Sequence, residues 1–404
     1  MARRGRPPKE ERDLTVPELI GLGFLAAFYP PATVDRILEQ TGRTEQRTRL
    51  LPSRLVVYYV LAMALYAREG YRELYRLLVE GLRSVDPALP IVVPQKSAFS
   101  KARERVGSAP LQRLFEEIAA PMASPSTPGA WYRRWRVMSL DGSTMEVPDT
   151  PANEEHFGRP SVSRGDRSAY PRLRWVALGE AGTRAVVGLE AGPYGTGEKP
   201  LARALFERLS PGMLCICDRY FYGFDLWEEA RQTGAELLWR LKKNSVFPVE
   251  QALSDGSYLS RAFPSDRKRR KGQSGTPVRV IDYQLDDAGR PTAEPLYRLV
   301  TTIVDPDQAP AQELAALYAE RWEVEISIKE IKIYQGRPGV VLRSKKPDGV
   351  IQELYGFATV HYAIRWLLHQ ASLEEQIDPD RLSFTGALRA MRRKLSRPEG
   401  FSPQ

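Results

Sequence analysis

The sequence predicts an α/β protein in which an all-helical N-terminal region precedes a mixed sheet with a β-rich insertion. Three observations support this fold class. Apolar residues follow the period of a helix over residues 14–123. After the turn-rich stretch 124–129, strand and helix patterns alternate, which is typical of a mixed sheet covered by helices. Over residues 246–305, apolar and polar residues alternate as in β-structure.

The charge balance favours a polyanionic partner. The 404 residues include 59 Lys and Arg against 50 Asp and Glu, a formal net charge of +9, which points to nucleic acid. No apolar stretch near the N-terminus resembles a signal peptide. The longest uncharged run, residues 55–67, is shorter than the about 20 residues that a membrane span needs. We therefore expect a cytoplasmic, nucleoid-associated protein without membrane insertion.

The first 13 residues are rich in charge and proline, which is typical of a disordered basic tail. Arg4-Gly5-Arg6-Pro7 resembles the core of an AT-hook, whose arginines lie in the narrow minor groove of A·T-rich DNA. A generic electrostatic arm is the alternative. In both interpretations Arg4 and Arg6 contact DNA.

Residues 14–123 are predicted to form a helical bundle. Pro17 suits the first turn of a helix, a second helix ends at Gly42, and the segment from Ser53 is apolar on all sides, as in the centre of a bundle. A short basic helix then ends at Gly107. Its cations are Lys96, Lys101, Arg103 and Arg105. Such a helix either enters a DNA groove or presents a solvated face.

Two acidic residues follow predicted strands. Residues 136–140 form a short strand that ends at Asp141, and residues 213–217 form a buried strand that ends at Asp218. A hairpin and a helix lie between the two strands. A carboxylate at a strand end suits a metal ligand, and a plain turn is the alternative.

Two cysteines, Cys215 and Cys217, lie in the second of these strands. We expect their side chains to point to opposite faces, a geometry unsuited to a disulfide bond. Both are predicted to be reduced core residues of a cytosolic protein.

Two arginine-rich stretches could contact a phosphate backbone. The first lies within residues 159–174 and contains Arg159, Arg164, Arg167, Arg172 and Arg174. The second lies in the β-rich insertion and consists of Arg267, Lys268, Arg269, Arg270 and Lys271. Five consecutive like charges repel one another, so the second stretch is predicted to be a loop, either solvated or in contact with DNA.

Residues 318–332 predict a helix with distinct faces. At about 100° per residue, four polar side chains fall within an arc of roughly 60°: Tyr318, Arg321, Glu325 and Lys332. An apolar stripe lies beside them, formed by Leu317, Val324, Ile328 and Ile331. We expect the remaining polar residues to point the other way: Glu320, Glu323, Ser327 and Glu330. A solvated amphipathic helix with ion pairs at three- and four-residue spacing is the alternative.

The spacing Y-x2-R-x3-E-x6-K of these residues resembles the signature helix of the IS4 family of DDE transposases at all four positions. LDGS around Asp141 and CDRYFYG around Asp218 resemble the two earlier acidic motifs of that family. TGRTEQRTRLLPSRLVVYYVLA and KSAFSKARERVG resemble its N-terminal domain. The resemblance covers about residues 14–375 and implies an RNase H-like catalytic domain interrupted by a β-rich insertion.

By this resemblance, Asp141, Asp218 and Glu325 are the catalytic metal ligands. Their hard oxygen atoms suit Mg²⁺ or Mn²⁺. Two such ions about 4 Å apart can activate a water or a 3′-hydroxyl group and stabilise the leaving oxygen.

Three neighbouring residues of the signature segment have an implied role in DNA binding. Tyr318, Arg321 and Lys332 would position DNA phosphates, Arg321 as a bidentate donor and Lys332 as a point charge. In some relatives a Trp of the insertion stacks on a flipped base. The insertion of this chain has no Trp, so an aromatic residue would have to substitute: Tyr258, Phe263, Tyr283 or Tyr297.

The resemblance implies a cut-and-paste DNA transposase. Its partners would be terminal inverted repeats, target DNA and a second copy of the chain in a synaptic complex. The predicted organisation is a tail (1–13), a helical DNA-binding domain (14–123), a linker (124–135), the first part of a catalytic domain (136–244), the insertion (245–305), and the second part of the catalytic domain with C-terminal helices (306–404).

Two other functions remain open at this stage. One is a non-catalytic DNA-binding protein derived from a transposase, and the other is a metal-dependent nuclease without joining activity. The histidines form no sequence cluster typical of zinc. His361 and His369 fall in an apolar helix, where core histidines are expected.

Overall fold

A computed structural model describes residues 23–47, 49–83, 92–160, 170–265, 275–284, 296–336 and 342–394. Several predicted DNA-binding residues lie outside these ranges: Arg4, Arg6, Arg164, Arg167, Arg267, Lys268, Arg269, Arg270 and Lys271. Within the ranges, none of the helices combines the length and the apolarity that crossing a membrane requires.

Contacts between residues divide the chain into two compact units. The first contains the described residues up to Phe115, with Gln352–Val360 and those from Thr385 onward. The second contains the described residues of Glu116–Ile351 and His361–Phe384. The first unit therefore includes two pieces of the range 306–404, which the sequence grouped as the second part of the catalytic domain with C-terminal helices. Gly356 packs so closely on Val60 that a Cβ there would lie 2.9 Å from Val60 Cγ1.

The first unit is helical, as predicted. Its helices before residue 119 are α1 (Gly23–Phe28), α2 (Pro31–Gln40), α3 (Ser53–Leu65), α4 (Tyr71–Arg83), α5 (Lys96–Val106) and α6 (Ala109–Ile118). Helix α3 is buried on all sides, because its apolar residues occupy the whole circumference. Gly107 ends α5 with a φ of 73°, a conformation that glycine adopts without strain.

The cations of α5 do not form one DNA-facing surface. Lys96 and Lys101 are exposed, but Arg103 is buried and forms an ion pair with Glu353 at 2.9 Å. Arg103 Nε also donates to the side chain of Gln352 at 2.8 Å. A buried guanidinium needs such partners because desolvation otherwise disfavours it strongly. Arg103 therefore belongs to the interior, and DNA contact by the exposed cations of this helix stays a prediction.

The second unit is built on a mixed sheet. Its strands are β1 (Trp131–Tyr132), β2 (Trp135–Glu146), β3 (Arg172–Glu180), β4 (Val186–Pro193), β5 (Met213–Cys217), β6 (Glu236–Arg240), β7 (Gln251–Ala252), β8 (Tyr258–Ala262), β9 (Thr276–Tyr283) and β10 (Tyr297–Thr301). The order is β4-β3-β2-β5-β6-β10-β9-β8-β7, with β1 against β2. Strands β2, β5 and β6 are parallel, β3 pairs antiparallel with β2, and β4 pairs antiparallel with β3. The predicted α/β fold class is confirmed.

The strands of the predicted insertion extend the same mixed sheet. Strand β10 pairs antiparallel with β6, and β9, β8 and β7 follow outward. Buried Arg279 of β9 fastens this extension, because its guanidinium contacts Asp255 and donates to the carbonyl of Ala309 at 2.7 Å. The insertion therefore supplies sheet edge as well as loops.

Strand β2 is longer than predicted. The sequence placed Asp141 at a strand end, but β2 continues to Glu146, and Asp141 pairs with Ala177 of β3. The turn reading of Asp141-Gly142-Ser143 is therefore wrong. The antiparallel partner β3 reaches past the end of β5 and keeps these residues extended.

The two cysteines share one face of β5, contrary to the prediction. Residues two apart in a strand point to the same side because the side-chain period is two. The Sγ atoms of Cys215 and Cys217 are 3.8 Å apart, and both thiols are free and buried.

The signature segment is helical, but not uniformly so. It comprises α10 (Ala311–Leu317), a 3₁₀ turn (Tyr318–Arg321), α11 (Trp322–Lys329) and a π-helical turn (Glu330–Gly336). Its predicted apolar stripe is confirmed at Val324, Ile328 and Ile331, which are buried. The residues expected on the opposite side are buried as well at three positions: Glu323, Ser327 and Glu330. The sequence pattern did not indicate this burial.

The remaining helices cover the sheet or follow the signature segment. They are α7 (Pro151–Phe157), α8 (Glu198–Ala204), α9 (Phe224–Gln232), α12 (Pro347–Glu375) and α13 (Phe384–Lys394). Core histidines are confirmed in α12, since His361 contacts Glu330 and His369 contacts Thr127, each at 2.9 Å. Thr127 lies in the predicted linker and is buried within the second unit.

The turn between β3 and β4 requires glycine at position 182. Gly182 has a φ of 75°, and a Cβ there would lie 2.3 Å from the carbonyl oxygen of Pro128. We expect Gly182→Ala to lower the free energy of unfolding by about 3 kcal/mol. Gly212→Ala is the control, because its φ is 87° but nothing lies within 4 Å, so only about 1 kcal/mol is expected. Equal losses in denaturant titration would contradict the steric argument.

Candidate active site

The register of two parallel strands brings Asp141 and Asp218 together. Leu140 of β2 pairs with Cys217 of β5, so the aspartate after each residue occupies the same row. Neighbouring strands lie about 4.8 Å apart. Two carboxylates predicted from separate motifs therefore stand side by side at the carboxyl end of β5.

The aspartates project from the sheet face that the signature segment covers. Alternation along the strands places Val137 and Asp141 on one face, together with Ile216 and Asp218. Val137 and Ile216 belong to a buried cluster that also contains Tyr318. The buried apolar cluster is thus followed, on the same sheet face, by an acidic row formed by Asp141 and Asp218. This row lies beside the signature segment.

Backbone amides hold both aspartates. Asp141 Oδ1 accepts from its neighbour Gly142 N–H at 2.8 Å, and Asp218 Oδ1 accepts from Tyr220 N–H at 2.8 Å. Each hydrogen bond fixes one carboxylate oxygen and leaves the other oxygen of the group available. The site is preorganised to this extent by local backbone structure.

Electrostatics disfavours an ionised Asp141 in the protein alone. Burial raises the pKa of Asp141 to about 7; the Gly142 amide and Arg321 lower it, whereas Glu325 and Asp218 raise it further. Like charges close together and burial both favour the neutral acid. A divalent cation would favour the ionised form for the same reason.

Glu325 faces this row from α11 but is held by a cation of its own segment. Arg321 Nη1 donates a short hydrogen bond to Glu325 Oε1. Val324 packs against β3 where Gly179 leaves room, since a Cβ at Gly179 would lie 3.2 Å from Val324 Cγ2. This close approach of α11 to the sheet brings Glu325 into electrostatic contact with Asp141.

The donor chemistry fits a hard divalent cation, because three carboxylates supply oxygen ligands. In the described part of the chain, however, no three His, Cys, Asp or Glu side chains lie close enough together to hold a metal ion. Glu325 interacts with Arg321 instead. The structure therefore brings the predicted triad into one region without a closed coordination sphere.

Tyr318, Arg321 and Lys332 differ in accessibility. The Tyr318 side chain is 8% exposed, and within the described residues its hydroxyl group has no hydrogen-bond partner. Burial raises the pKa of Tyr318, although Arg321 lowers it. Arg321 also lies over the exposed ring of Trp322, with its Cζ atom 4.8 Å from the centroid. Arg321 is therefore better placed than Tyr318 for binding an anion.

Lys332 reaches strand β2 from the π-helical turn. Its Nζ donates to Ser143 Oγ at 2.9 Å, two residues after Asp141. Burial lowers the pKa of Lys332, nearby Arg172 lowers it further, and Glu146 raises it. The contact places the ammonium group of Lys332 beside Asp141, on the side of the segment that also presents Glu325.

The predicted basic surfaces are only partly available. Within residues 159–174 the described arginines are engaged in ion pairs: Arg159 with Asp149 and Glu154, Arg172 with Glu146, and Arg174 with Glu198. Arg172 is still about one third exposed. The loop of residues 267–271 and the tail lie outside the described residues, so their DNA contacts stay predictions.

Sequence reasoning missed Arg240, which lies in the same row as the aspartates. Cys217 of β5 pairs with Trp239 of β6, so Arg240 follows Trp239 as Asp218 follows Cys217. Its Cζ lies 4.5 Å from the ring centroid of Tyr297. The strand-end rule that identified both aspartates could have identified this arginine in LLWRL.

A fourth carboxylate, Glu198, was also missed. It begins α8 and lies against Gly142, where a Cβ would approach Glu198 Cδ to 2.4 Å. Arg174 holds it at 2.8 Å. Burial raises the pKa of Glu198, Arg174 lowers it, and Asp218 raises it. Nothing in the sequence indicated this contact, because it depends on how α8 packs.

Two predicted candidates for base stacking lie together. The rings of Tyr283 and Tyr297 are stacked with centroids 5.3 Å apart. They occupy paired positions in β9 and β10. Their stack adjoins Arg240, the last residue of β6.

Comparisons with known proteins relate this chain to transposases. A family model described as the transposase DDE domain matches residues 134–362, and one described as the insertion element 4 transposase N-terminal region matches residues 19–116. The chain is 27% identical over 389 residues to the transposase InsG for insertion sequence element IS4 of Escherichia coli (strain K12), covering 95% of this chain and 85% of that protein. Among solved structures it is similar to the piggyBac transposase in a synaptic complex with hairpin DNA, with a TM-score of 0.47, 12% identity, and coverage of 94% of this chain and 80% of that one.

Proposed function

Because this chain belongs to the family of transposases with a DDE domain and is a DNA transposase, we propose that Asp141, Asp218 and Glu325 form its catalytic centre. One observation carries this assignment. The pairing of Leu140 with Cys217 sets the two aspartates side by side. Glu325 acts electrostatically on Asp141 from the helix packed above them.

Transposases of this family depend on a metal, and we propose two Mg²⁺ or Mn²⁺ ions here. Carboxylate oxygens of Asp141, Asp218 and Glu325 would hold them. When bound, such ions activate the attacking hydroxyl group and stabilise the leaving oxygen in an in-line displacement. Glu325 would exchange its hydrogen bond to Arg321 for a metal contact.

The cations around the centre would bind the DNA strand that is cut. Arg321, once free of Glu325, can donate two parallel hydrogen bonds to a phosphate. Lys332 supplies a point charge near Ser143. Tyr318 is buried, with Arg321 Cζ 6.0 Å from its ring centroid, and a direct phosphate contact from its hydroxyl group requires a shift of this segment.

The protein binds DNA, and we propose specific partners. These are the terminal inverted repeats of its own element and the target DNA, with a homodimer in the synaptic complex. Two ends must be processed together for the element to move. Such substrates belong to the genome, so we propose that the protein acts at the nucleoid in the cytoplasm.

The first prediction concerns the acidic triad. We expect Glu325→Gln and Asp141→Asn each to reduce metal-dependent cleavage of a duplex carrying the element's terminal repeat by about 10³-fold or more. DNA binding should persist, because the substitutions remove metal ligands but no cation. The measurement is cleavage of end-labelled DNA in Mg²⁺ or Mn²⁺ beside a gel-shift assay.

Glu320→Gln is the matched control, since Glu320 belongs to the same segment but lies outside the triad. Cleavage by Glu325→Gln at the rate of the control would contradict the assignment. Specific binding without cleavage by the unmodified chain in either metal would favour a non-catalytic DNA-binding protein. Cleavage without joining of the cut 3′ end to target DNA would indicate a nuclease.

We also propose that Arg240 binds a phosphate of the cut strand. It shares a row with Asp141 and Asp218 and is oriented by the ring of Tyr297. A cation at this point can attract a phosphate next to the scissile bond.

We expect Arg240→Met to slow cleavage at saturating DNA about 10-fold. Arg240→Lys should recover part of the rate, because a point charge replaces the planar donor. The control is Arg231→Met, a surface arginine paired with Glu228. Equal single-turnover rates for Arg240→Met and Arg231→Met would contradict the role.

The helical N-terminal domain is proposed to contact DNA through Lys96 and Lys101, the exposed cations of α5. We expect the double change to Gln to reduce the slope of log binding constant against log salt by about 2, because each lost phosphate contact contributes about 0.9. The measurement is DNA affinity from 50 to 300 mM salt. The double change to Arg keeps both charges and should leave the slope unchanged. A wild-type slope for the Gln variant would show that these lysines do not touch the backbone.

A further inference from the structure

The signature segment is anchored on the side opposite its catalytic face. Glu323, Ser327 and Glu330 recur at spacings of four and three, which places them on one face of a helix. All three are buried. Apolar contacts to the sheet hold the segment on one side, and a set of polar contacts holds it on this other side.

Glu330 has the most confined of these contacts. Its Oε2 accepts from Arg365 Nε at 2.8 Å and interacts with His361 Nε2 at 2.9 Å, while its Oε1 accepts a short hydrogen bond from Arg365 Nη2. Glu330, His361 and Arg365 are at most 3% exposed. The guanidinium therefore grips the carboxylate with two parallel hydrogen bonds in a dry environment.

The protonation states in this cluster follow from burial and charge. Burial raises the pKa of Glu330, but Arg365 and His361 more than compensate, so its pKa lies below the usual range. Burial lowers the pKa of His361 despite the nearby carboxylate. A neutral His361 donating from Nε2 beside a charged Glu330–Arg365 pair accounts for both directions.

A second bidentate arginine–carboxylate contact lies two helical turns earlier in the segment. Arg184, in the turn between β3 and β4, donates from Nε and Nη2 to Glu323, each at 2.8 Å. Its carbonyl oxygen accepts from Ser327 Oγ at 2.9 Å. Arg184 reaches this position with a φ of 58°, a left-handed conformation that is uncommon for residues other than glycine.

The contacts at Glu323 and Glu330 flank Glu325 in the sequence. Glu330 lies where the helix type changes from α to π. The π-helical turn begins at Glu330 and carries Lys332, which contacts Ser143. A π turn advances through a smaller angle per residue than an α turn, because its hydrogen bonds span five residues. The direction of Lys332 relative to Glu325 therefore depends on where this transition is fixed.

Energy alone does not explain a buried ion pair at this point. The desolvation free energy of two buried charges is about as large as the free energy of their attraction. Well-packed apolar residues at the same positions often stabilise a fold equally well. Directional hydrogen bonds, however, fix rotation and depth, which apolar contacts do not. A catalytic carboxylate and ammonium need that precision, since a displacement of about 1 Å can cost 10²-fold in rate.

We propose that Glu330, held by Arg365 and His361, is a positioning residue of the active site. It fixes the rotation and depth of the segment that presents Glu325 and Lys332 to the acidic row. This inference rests on the proposed function, because it assumes that Glu325 and Lys332 act in cleavage.

The test compares three variants at Glu330. Glu330→Gln keeps the shape but loses one of the two parallel hydrogen bonds. Glu330→Asp keeps the charge but shortens the side chain by one methylene group. Glu330→Met combined with Arg365→Met removes the pair without leaving an unpaired charge, so a folded protein is available even if Glu330→Gln unfolds.

We expect all folded variants to bind repeat DNA with near wild-type affinity and to cleave it 10- to 100-fold more slowly at saturating DNA. The Mn²⁺ concentration at half-maximal rate should rise several-fold, because Glu325 is misplaced. The rise of the thermal midpoint that Mn²⁺ causes in the DNA-free protein should shrink. Glu330→Asp should restore the thermal midpoint without restoring the cleavage rate.

The control removes another buried ion pair, Arg103–Glu353, by changing both residues to Met. It should lower stability similarly while leaving the single-turnover rate and the Mn²⁺ dependence unchanged. Wild-type rates in folded Glu330 variants would overturn the proposal, as would rates that only follow the folded fraction.

Glu325→Gln, measured alongside, separates the positioning role of Glu330 from the proposed catalytic centre. If it also cleaves normally, the proposed catalytic centre fails. If it is inactive while the Glu330 variants cleave normally, only the positioning role fails.

Discussion

The register between β2 and β5 is the constraint on which the rest of the active site depends. Leu140 opposite Cys217 sets Asp141 and Asp218 in one row, and Arg240 joins them through the next parallel pair. A shift by one residue would turn every side chain of a strand to the other face and separate the two carboxylates. The buried residues below the row, among them Val137 and Ile216, oppose such a shift because they would leave the core.

The signature segment reaches this row because it is fixed on two sides by different forces. Apolar packing at Gly179 and Val324 sets its distance from the sheet. Bidentate arginine contacts to Glu323 and Glu330 are directional and restrict its rotation. The packing of Val324 thus fixes the depth of Glu325, and the arginine contacts of Glu323 and Glu330 fix its rotation. Both are needed for a carboxylate that must take one orientation in the proposed site.

Basic residues serve two purposes in this chain, and net charge does not distinguish them. Arg103, Arg279 and Arg365 are buried and fasten elements together through acidic side chains. Exposed Lys96 and Lys101 remain available for a polyanion. The excess of positive charge therefore indicates a nucleic-acid partner, whereas burial decides which cations can reach it.

The sequence alone determined the fold class, the strands that lead to Asp141 and Asp218, and the helical segment of Glu325, because these follow from local periodicity and motif spacing. It failed at the extension of β2 through Asp141, the common face of Cys215 and Cys217, and the burial of Glu323 and Glu330. The extension of β2 and the burial of the two glutamates depend on neighbours distant in the chain: β3 continues beyond β5, and arginines of a turn and of α12 neutralise carboxylates that a hydrophobic pattern assigns to solvent. The cysteine prediction misapplied the two-residue period of a strand, which the sequence already supplied. Tertiary structure decided which charges are buried, since a polar residue enters the interior only where a partner from elsewhere offsets its desolvation.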